Sequence, residues 1–282
     1  MAVAARTPSD LVITPRNRMF GRNEHPGRWW YGGKPAPTAF YNALSLTFPK
    51  GEGFFIESVR HYRYDVSAAL AKQISAFITQ ESVHSREHLV FNRQVHEAGY
   101  DVRQIEAGID ARLGEGKNDP PLVHLMATVA LEHFTAILAH AFLESDRYFK
   151  GAPTEVQRLW KWHSIEEIEH KGVAYDTFLE VTTDLPAFTR WKIRSLVMLL
   201  VTRNFIGDRI RDMAILFKQD GINTIKTWAQ AAKYLLVYPG LLRRVFPAWL
   251  AFFKPGFHPW MHDDRALLRA AEQKLGPSPA NA

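Results

Sequence analysis

Glu-x-x-His occurs twice in this chain, each time inside a stretch with helical spacing. The first copy is Gln80-Glu81-Ser82-Val83-His84, with His88 four residues on. The second is His163-Ser164-Ile165-Glu166-Glu167-Ile168-Glu169-His170. At 100° per residue, positions i and i+3 share one helix face, so Glu81 points with His84 and Glu167 with His170. One such pair is common by chance and fits a solvated helix face. Two pairs on separate helices are a much rarer constellation, and they constrain the fold to helices packed around a shared polar centre.

The rest of the chain reads as helical almost throughout. Residues 1–37 carry much of the proline and glycine and are expected to form an extended arm. A short helix is expected from Thr38 to Phe48, broken by Pro49-Lys50-Gly51, with a new helix from Glu52 to about Tyr64. Ser67 is a plausible N-cap for a long helix reaching His96 and ended by Gly99. A shorter helix follows at Val102–Leu113. Asp119 is expected to cap a helix that begins at Pro120 and runs to about Asp146. Another runs from Pro153-Thr154-Glu155 to Val181. No stretch alternates apolar and polar residues as a strand does. The expected fold is all-α: a ferritin-like four-helix bundle within residues 38–185, a basic helical extension or lid at 186–270, and a flexible tail at 271–282.

Composition narrows the chemistry. There is no cysteine, which excludes disulfides, thiolate metal sites, iron–sulfur clusters and a thiol nucleophile. Metal chemistry would fall to histidine and carboxylates. Nine of the 12 histidines lie between His61 and His170. Residues 186–282 hold 15 Lys and Arg against 6 Asp and Glu, a net +9, whereas residues 1–185 have a net −3. The opening residues lack the apolar core of a secretory signal, and no run approaches about 18 uninterrupted apolar residues. The expectation is a cytoplasmic protein, with peripheral membrane contact through the basic region as an alternative. No nucleic-acid-binding motif is evident, so nucleic acid is not an expected partner.

Carboxylate-bridged dinuclear sites in helical bundles use one Glu from each of two helices and a Glu-x-x-His from each of the other two. Lone glutamates in apolar surroundings stand before each motif, in Phe54-Phe55-Ile56-Glu57 and in Ala130-Leu131-Glu132-His133-Phe134. The order is then Glu57, Glu81-x-x-His84, Glu132, Glu167-x-x-His170. Four carboxylates would neutralise two divalent cations, and buried acids without metal would be costly to ionise together. His163 lies four residues before Glu167 on the same stripe and is expected as a third imidazole ligand. Glu166 rivals Glu167, being i to His170 at i+4. His88 reads as a neighbour of the site, and His133, about 100° away from Glu132, as structural.

Phe48-Pro49-Lys50-Gly51-Glu52 with Phe54-Phe55-Ile56-Glu57, the stretch Phe77 to His88, the stretch Trp162 to His170, and Lys254-Pro255-Gly256-Phe257-His258-Pro259-Trp260 resemble the bacterial family described as predicted metal-dependent hydrolase. The resemblance covers roughly residues 38–265. In ligand order and spacing the chain is also similar to the di-iron p-aminobenzoate N-oxygenases.

The favoured reading is an O2-dependent oxidation of a small or lipid-like organic substrate at two divalent ions, iron first, with manganese or zinc as alternatives. A dinuclear hydrolase, in which two metals clamp a substrate oxygen and acidify a bridging water, fits the same donors. A non-enzymatic metal-storage or metal-sensing bundle comes third. The basic extension, with apolar segments at 196–201, 234–238 and 245–253, is expected to form a lid over the site. A homodimer is compatible with these features.

Overall fold

The computed structural model describes residues 6–276, which are all-α, with no strand among them. The helices are α1 (Pro35–Arg60), α2 (Ala68–Glu97), α3 (Arg103–Glu115), α4 (Pro121–Glu144), α5 (Thr154–His170), α6 (Val173–Val181), α7 (Ala187–Gln219), α8 (Ile225–Ala232), α9 (Leu241–Ala251) and α10 (Arg265–Leu275). A π-helical turn, Lys233–Val237, continues α8. The helix α1 packs along α2, and α4 along α5. Contacts of α1 with α4 and of α2 with α5 close the set.

The break expected at Pro49 does not occur. Pro49 lies inside α1, which continues to Arg60. Proline removes the N–H that would bond the carbonyl four residues back. That carbonyl belongs to Ser45, and the Asn92 side-chain amide donates to it at 3.1 Å from α2. A tertiary hydrogen bond thus replaces the lost helical one, and the helix carries its register through the proline.

In α2, Ser67 caps the N–H of Leu70, and Gly99 beyond the helix takes a left-handed φ of 91°. Asp119 does not cap α4. The helix begins at Pro121, whose fixed φ suits a first helical position, while Pro120 precedes it in an extended conformation. The single helix expected to run from residue 154 to 181 is two helices, broken at Lys171-Gly172. A Cβ at Gly172 would lie only 3.1 Å from the Trp260 indole, and also against Thr7. The break is where the N-terminal arm and the 259–261 turn close onto the helices.

Most of the apolar core is one cluster, joining side chains of α1, α2, α4 and α5 to Met198, Met213, Leu216, Leu241 and Phe252 of the C-terminal helices. The helices α7 and α9 pack on α4, and α8 packs on α1. The helix α4 is apolar and long enough to cross a membrane by length and composition, yet two thirds of its most apolar window is buried inside the protein. Among its described residues the arm has no helix before Pro35, but it buries Ile13, Phe20, Trp30 and Tyr31 against the bundle. Helix continues past residue 270 to Leu275, so the tail expected at 271–282 begins as α10. Residues 277–282 of that tail, and residues 1–5 of the arm, lie outside the described residues.

Candidate metal centre

Four helices each send acidic or imidazole side chains to one buried centre. From α1 comes Glu52, from α2 Glu81 and His84, from α4 Glu132, and from α5 His163, Glu167 and His170. All are almost fully buried. Their donor atoms fall into two groups, each with its members within 4.8 Å of one another. One holds Glu81, Glu132, Glu167 and His170, the other Glu52, His84 and His163.

His170 Nε2 stands 3.1 Å from Glu81 Oε1, 3.5 Å from Glu132 Oε2 and 3.6 Å from Glu167 Oε2. The second oxygens of Glu81 and Glu167 turn to the other group: Glu81 Oε2 is 3.7 Å and Glu167 Oε1 3.5 Å from His84 Nδ1. Glu167 Oε1 is also 2.7 Å from His163 Nε2, which has Glu52 Oε1 at 3.8 Å. Glu81 and Glu167 therefore span both groups with one oxygen in each. Glu132 faces one group and Glu52 the other.

Each imidazole is held by its outer nitrogen. His84 Nε2 meets Glu166 Oε2 at 3.0 Å. Glu166 accepts in turn from the Trp162 indole N–H and the Arg16 backbone N–H. His170 Nδ1 meets Gln80 Oε1 at 2.9 Å, and the Gln80 amide donates to Glu169 at 2.8 Å. Arg16 forms an ion pair with both Glu166 and Glu169. His163 Nδ1 meets His88 Nε2 at 2.6 Å, and His88 Nδ1 meets Ser45 Oγ at 2.8 Å.

The direction of that last relay can be read from its end. The Ser45 carbonyl can only accept, so it fixes the Asn92 amide with Nδ2 toward it and Oδ1 toward Ser45 Oγ. The Ser45 hydroxyl donates to that Oδ1 at 2.7 Å. Its oxygen must accept from His88 Nδ1–H, and His88 Nε2 must accept from His163 Nδ1–H. Burial together with the neighbouring His163 and His84 rings holds His88 well below the ordinary histidine value, in keeping with a neutral ring. Burial and His84 likewise lower His163, in spite of Glu167. A neutral His163 then presents the bare lone pair of Nε2 to carboxylate oxygens, an arrangement that needs a cation between them.

The carboxylates make the same demand. Burial, joined by the charge of Glu81, pushes Glu52 well up. Burial also pushes Glu132 well up, although His170 opposes it. Burial and Glu167 work to raise Glu81, but the neighbouring His170 and His84 rings hold it below the ordinary carboxylate value. Burial opposes the ionised form of Glu167 as well, and the neighbouring His170 and His163 rings overcome it. Burial would lower His84 and His170, yet the carboxylates around them keep both well above the ordinary value. Among the described residues no lysine or arginine pairs with Glu52, Glu81, Glu132 or Glu167. Among the described residues eight buried atoms of this centre have no hydrogen-bond partner: Glu52 Oε1, both oxygens of Glu81 and of Glu132, Glu167 Oε2, His84 Nδ1 and His170 Nε2. Stranding so many buried polar atoms would cost about 1–3 kcal/mol each. Divalent cations satisfy them, so the donor set fits metal.

Of the expected ligands, Glu81, His84, Glu132, His163, Glu167 and His170 come together. Glu57 does not. Its side chain is 71% exposed and pairs with Arg60. Since α1 runs unbroken through Pro49, the inward stripe is Ser45, Phe48 and Glu52, spaced by three and four. Glu57 falls five residues past Glu52, about 140° around the helix. Between the rivals of α5, Glu167 enters the cluster, while Glu166 bonds the outer nitrogen of His84. His133 faces away and meets the Ala248 carbonyl at 3.1 Å. Local sequence rules point neither to Glu52 nor to the arm, where Arg16 and the N–H groups of Thr14 and Arg16 hold the outer carboxylates.

A cavity of about 20 Å³, lined by Leu44, Phe48, Leu138, Phe142 and Trp160, reaches His163 and Glu167. A larger one of about 420 Å³ lies on the far side of α4, beside His133 and Lys171.

An all-α chain that gathers buried carboxylates and imidazoles with no basic side chain among them is built as a metal-dependent protein. The family model described as predicted metal-dependent hydrolase matches residues 14–263, and the chain belongs to that family. Comparison with curated proteins and with solved structures gives no match.

Proposed function

We propose that the centre holds two divalent metal ions, iron first, and that the protein is an enzyme carrying out an O2-dependent oxidation of a small or lipid-like organic substrate. The ligand order on α1, α2, α4 and α5 is that of ferritin-like carboxylate-bridged bundles, with Glu52 in the first place. Glu81 and Glu167 would hold both ions. Glu52 with His84 and His163 would complete one shell, and Glu132 with His170 the other. When bound, a pair of redox metals supplies electrons to O2.

The chain's own contribution is charge, orientation and exclusion. Four carboxylates balance two divalent ions without help from a basic side chain. Glu166, Gln80 and His88 fix the three imidazole rings, leaving one nitrogen of each toward the centre. Phe48, Trp160 and Phe77 pack against the His163, His88 and His170 rings and keep bulk water away.

The feature that supports oxidation over hydrolysis is the ligand set: Glu81 and Glu167 each reach both donor groups, in the helix order of ferritin-like carboxylate-bridged bundles. The cavity of about 20 Å³ beside His163 and Glu167, lined mainly by apolar side chains with Thr135 and Ser164, has room for about one water-sized molecule, enough for O2 to reach the centre. The family's description favours the second reading, a dinuclear metal-dependent hydrolase. Anaerobic loading with ferrous iron, followed by admission of O2, separates the two. The oxidative reading expects two irons per chain and O2 uptake in proportion to iron, with a change in the optical spectrum. A protein that takes up no O2, yet cleaves esters or amides when loaded with zinc or manganese, overturns it.

A further inference from the structure

The 33-residue helix α7 has two unlike sides. Inward it buries Arg194, Ser195, Met198, Met213 and Leu216. Outward, over about six turns, it exposes Phe188, Leu196, Leu199, Leu200, Ile206 and Ile210, each about half-exposed or more. These positions follow one face of the helix, and Lys192 and Arg203 are the exposed polar residues set into it. The face continues onto α9. There the Trp249 indole N–H donates to Thr202 of α7 at 3.0 Å, and exposed Phe246 and Leu250 lie on either side of Trp249 in the sequence. Isolated exposed apolar residues are ordinary, but a contiguous face of this extent marks an interaction surface.

Charge identifies the occupant. Lys192, Arg203, Arg243 and Lys254 are all exposed and have no acidic partner among the described residues. The acids of this region are turned elsewhere: Asp208 and Asp212 pair with arginines of α3 and α7, and Asp220 pairs with Arg28. A second copy docked isologously on this face would set cation against cation. An anionic lipid surface offers an apolar phase and negative charge together, which is what the face presents the complement of.

We infer that α7 and α9 form a peripheral membrane-binding face, on which the aliphatic and aromatic side chains enter the headgroup boundary of an anionic bilayer while Lys192, Arg203, Arg243 and Lys254 meet lipid phosphates. This inference is independent of the chemistry at the metal centre. The test is co-sedimentation of the full chain with vesicles of neutral phosphatidylcholine, and of phosphatidylcholine mixed with phosphatidylglycerol, at low and high salt. Binding to the mixed vesicles is expected, weakening as salt rises. At roughly fivefold per basic residue near the surface, K192A/R203A should bind about 25-fold more weakly. L199E/I206E alters only exposed positions, and its circular dichroism and thermal unfolding should match the parent while vesicle binding is lost. Absence of binding at low salt, equal binding to both vesicle types, or a dimer in sedimentation that L199E/I206E dissociates would each overturn the inference.

Discussion

His88 Nε2 lies 2.6 Å from His163 Nδ1, so a ring that faces no carboxylate decides which nitrogen of its neighbour faces the metal centre. The relay Asn92–Ser45–His88–His163 commits the proton of His163 to the outer nitrogen and leaves Nε2 as a donor. His88→Ala should leave the helices intact and weaken metal binding by about 10- to 100-fold, the usual effect of removing such an orienting partner. Competition with a chelator of known affinity measures this. Unchanged affinity would show that His163 keeps its tautomer without His88.

Glu52 and Glu57 make opposite predictions from neighbouring turns of one helix. Glu52→Ala should lower metal content well below two per chain, whereas Glu57→Ala, which loses only an exposed pair with Arg60, should leave it at two. His133→Ala should also retain both metals. Metal analysis by mass spectrometry on the purified variants decides the assignment. Full content in Glu52→Ala would remove Glu52 from the site.

The two spanning carboxylates should behave unlike the two terminal ones. Glu81→Ala and Glu167→Ala each take an oxygen from both groups and should deplete both metals together. Glu132→Ala and Glu52→Ala should each deplete one metal first. Titration with cobalt, followed by its visible spectrum, resolves one loaded position from two. A single binding step common to all four variants would refute the division into spanning and terminal ligands.

Protons and metal compete for this centre. In the metal-free chain the carboxylates hold His84 and His170 well above the ordinary histidine value, so both rings are protonated at neutral pH. Metal binding must expel those protons, and affinity should therefore rise with pH and fall in acid. Calorimetry in two buffers of different ionisation enthalpy should show proton release. No dependence on buffer would contradict it.

Helix content and six of the seven donors were legible because they rest on local rules. Helical spacing puts Glu81 with His84 and Glu167 with His170, and His163 falls on the stripe of the second pair. What escaped was tertiary. Pro49 reads locally as a breaker, and only Asn92, 43 positions away, shows that the Ser45 carbonyl is otherwise satisfied. That error moved the lone glutamate from Glu52 to Glu57, since a helix newly begun at Glu52 leaves its phase free. Ser45, Phe48 and Glu52 do lie on one stripe at spacings of three and four, a signal visible only if the helix is carried through the proline. The arm was illegible for a related reason: Arg16 has no periodic pattern around it, and its value comes from Glu166 and Glu169, some 150 residues on.

The repair of α1 can itself be tested, because its two parts are separable. Asn92→Ala removes the donor to the Ser45 carbonyl while Pro49 still lacks an N–H. A backbone carbonyl stranded in this way should cost about 1–3 kcal/mol of stability, read as a lower urea midpoint with an unchanged slope. Pro49→Ala restores an N–H in register with Ser45 and should be neutral or mildly stabilising. The double variant is the informative one. If Asn92 stabilises α1 by standing in for the missing N–H, then Asn92→Ala should cost much less in the Pro49→Ala background, and the two changes should couple rather than add. Strict additivity would mean that Asn92 acts only through the Ser45 hydroxyl and the His88 relay. In that case metal affinity would fall in both backgrounds alike, with no rescue of stability by alanine at position 49.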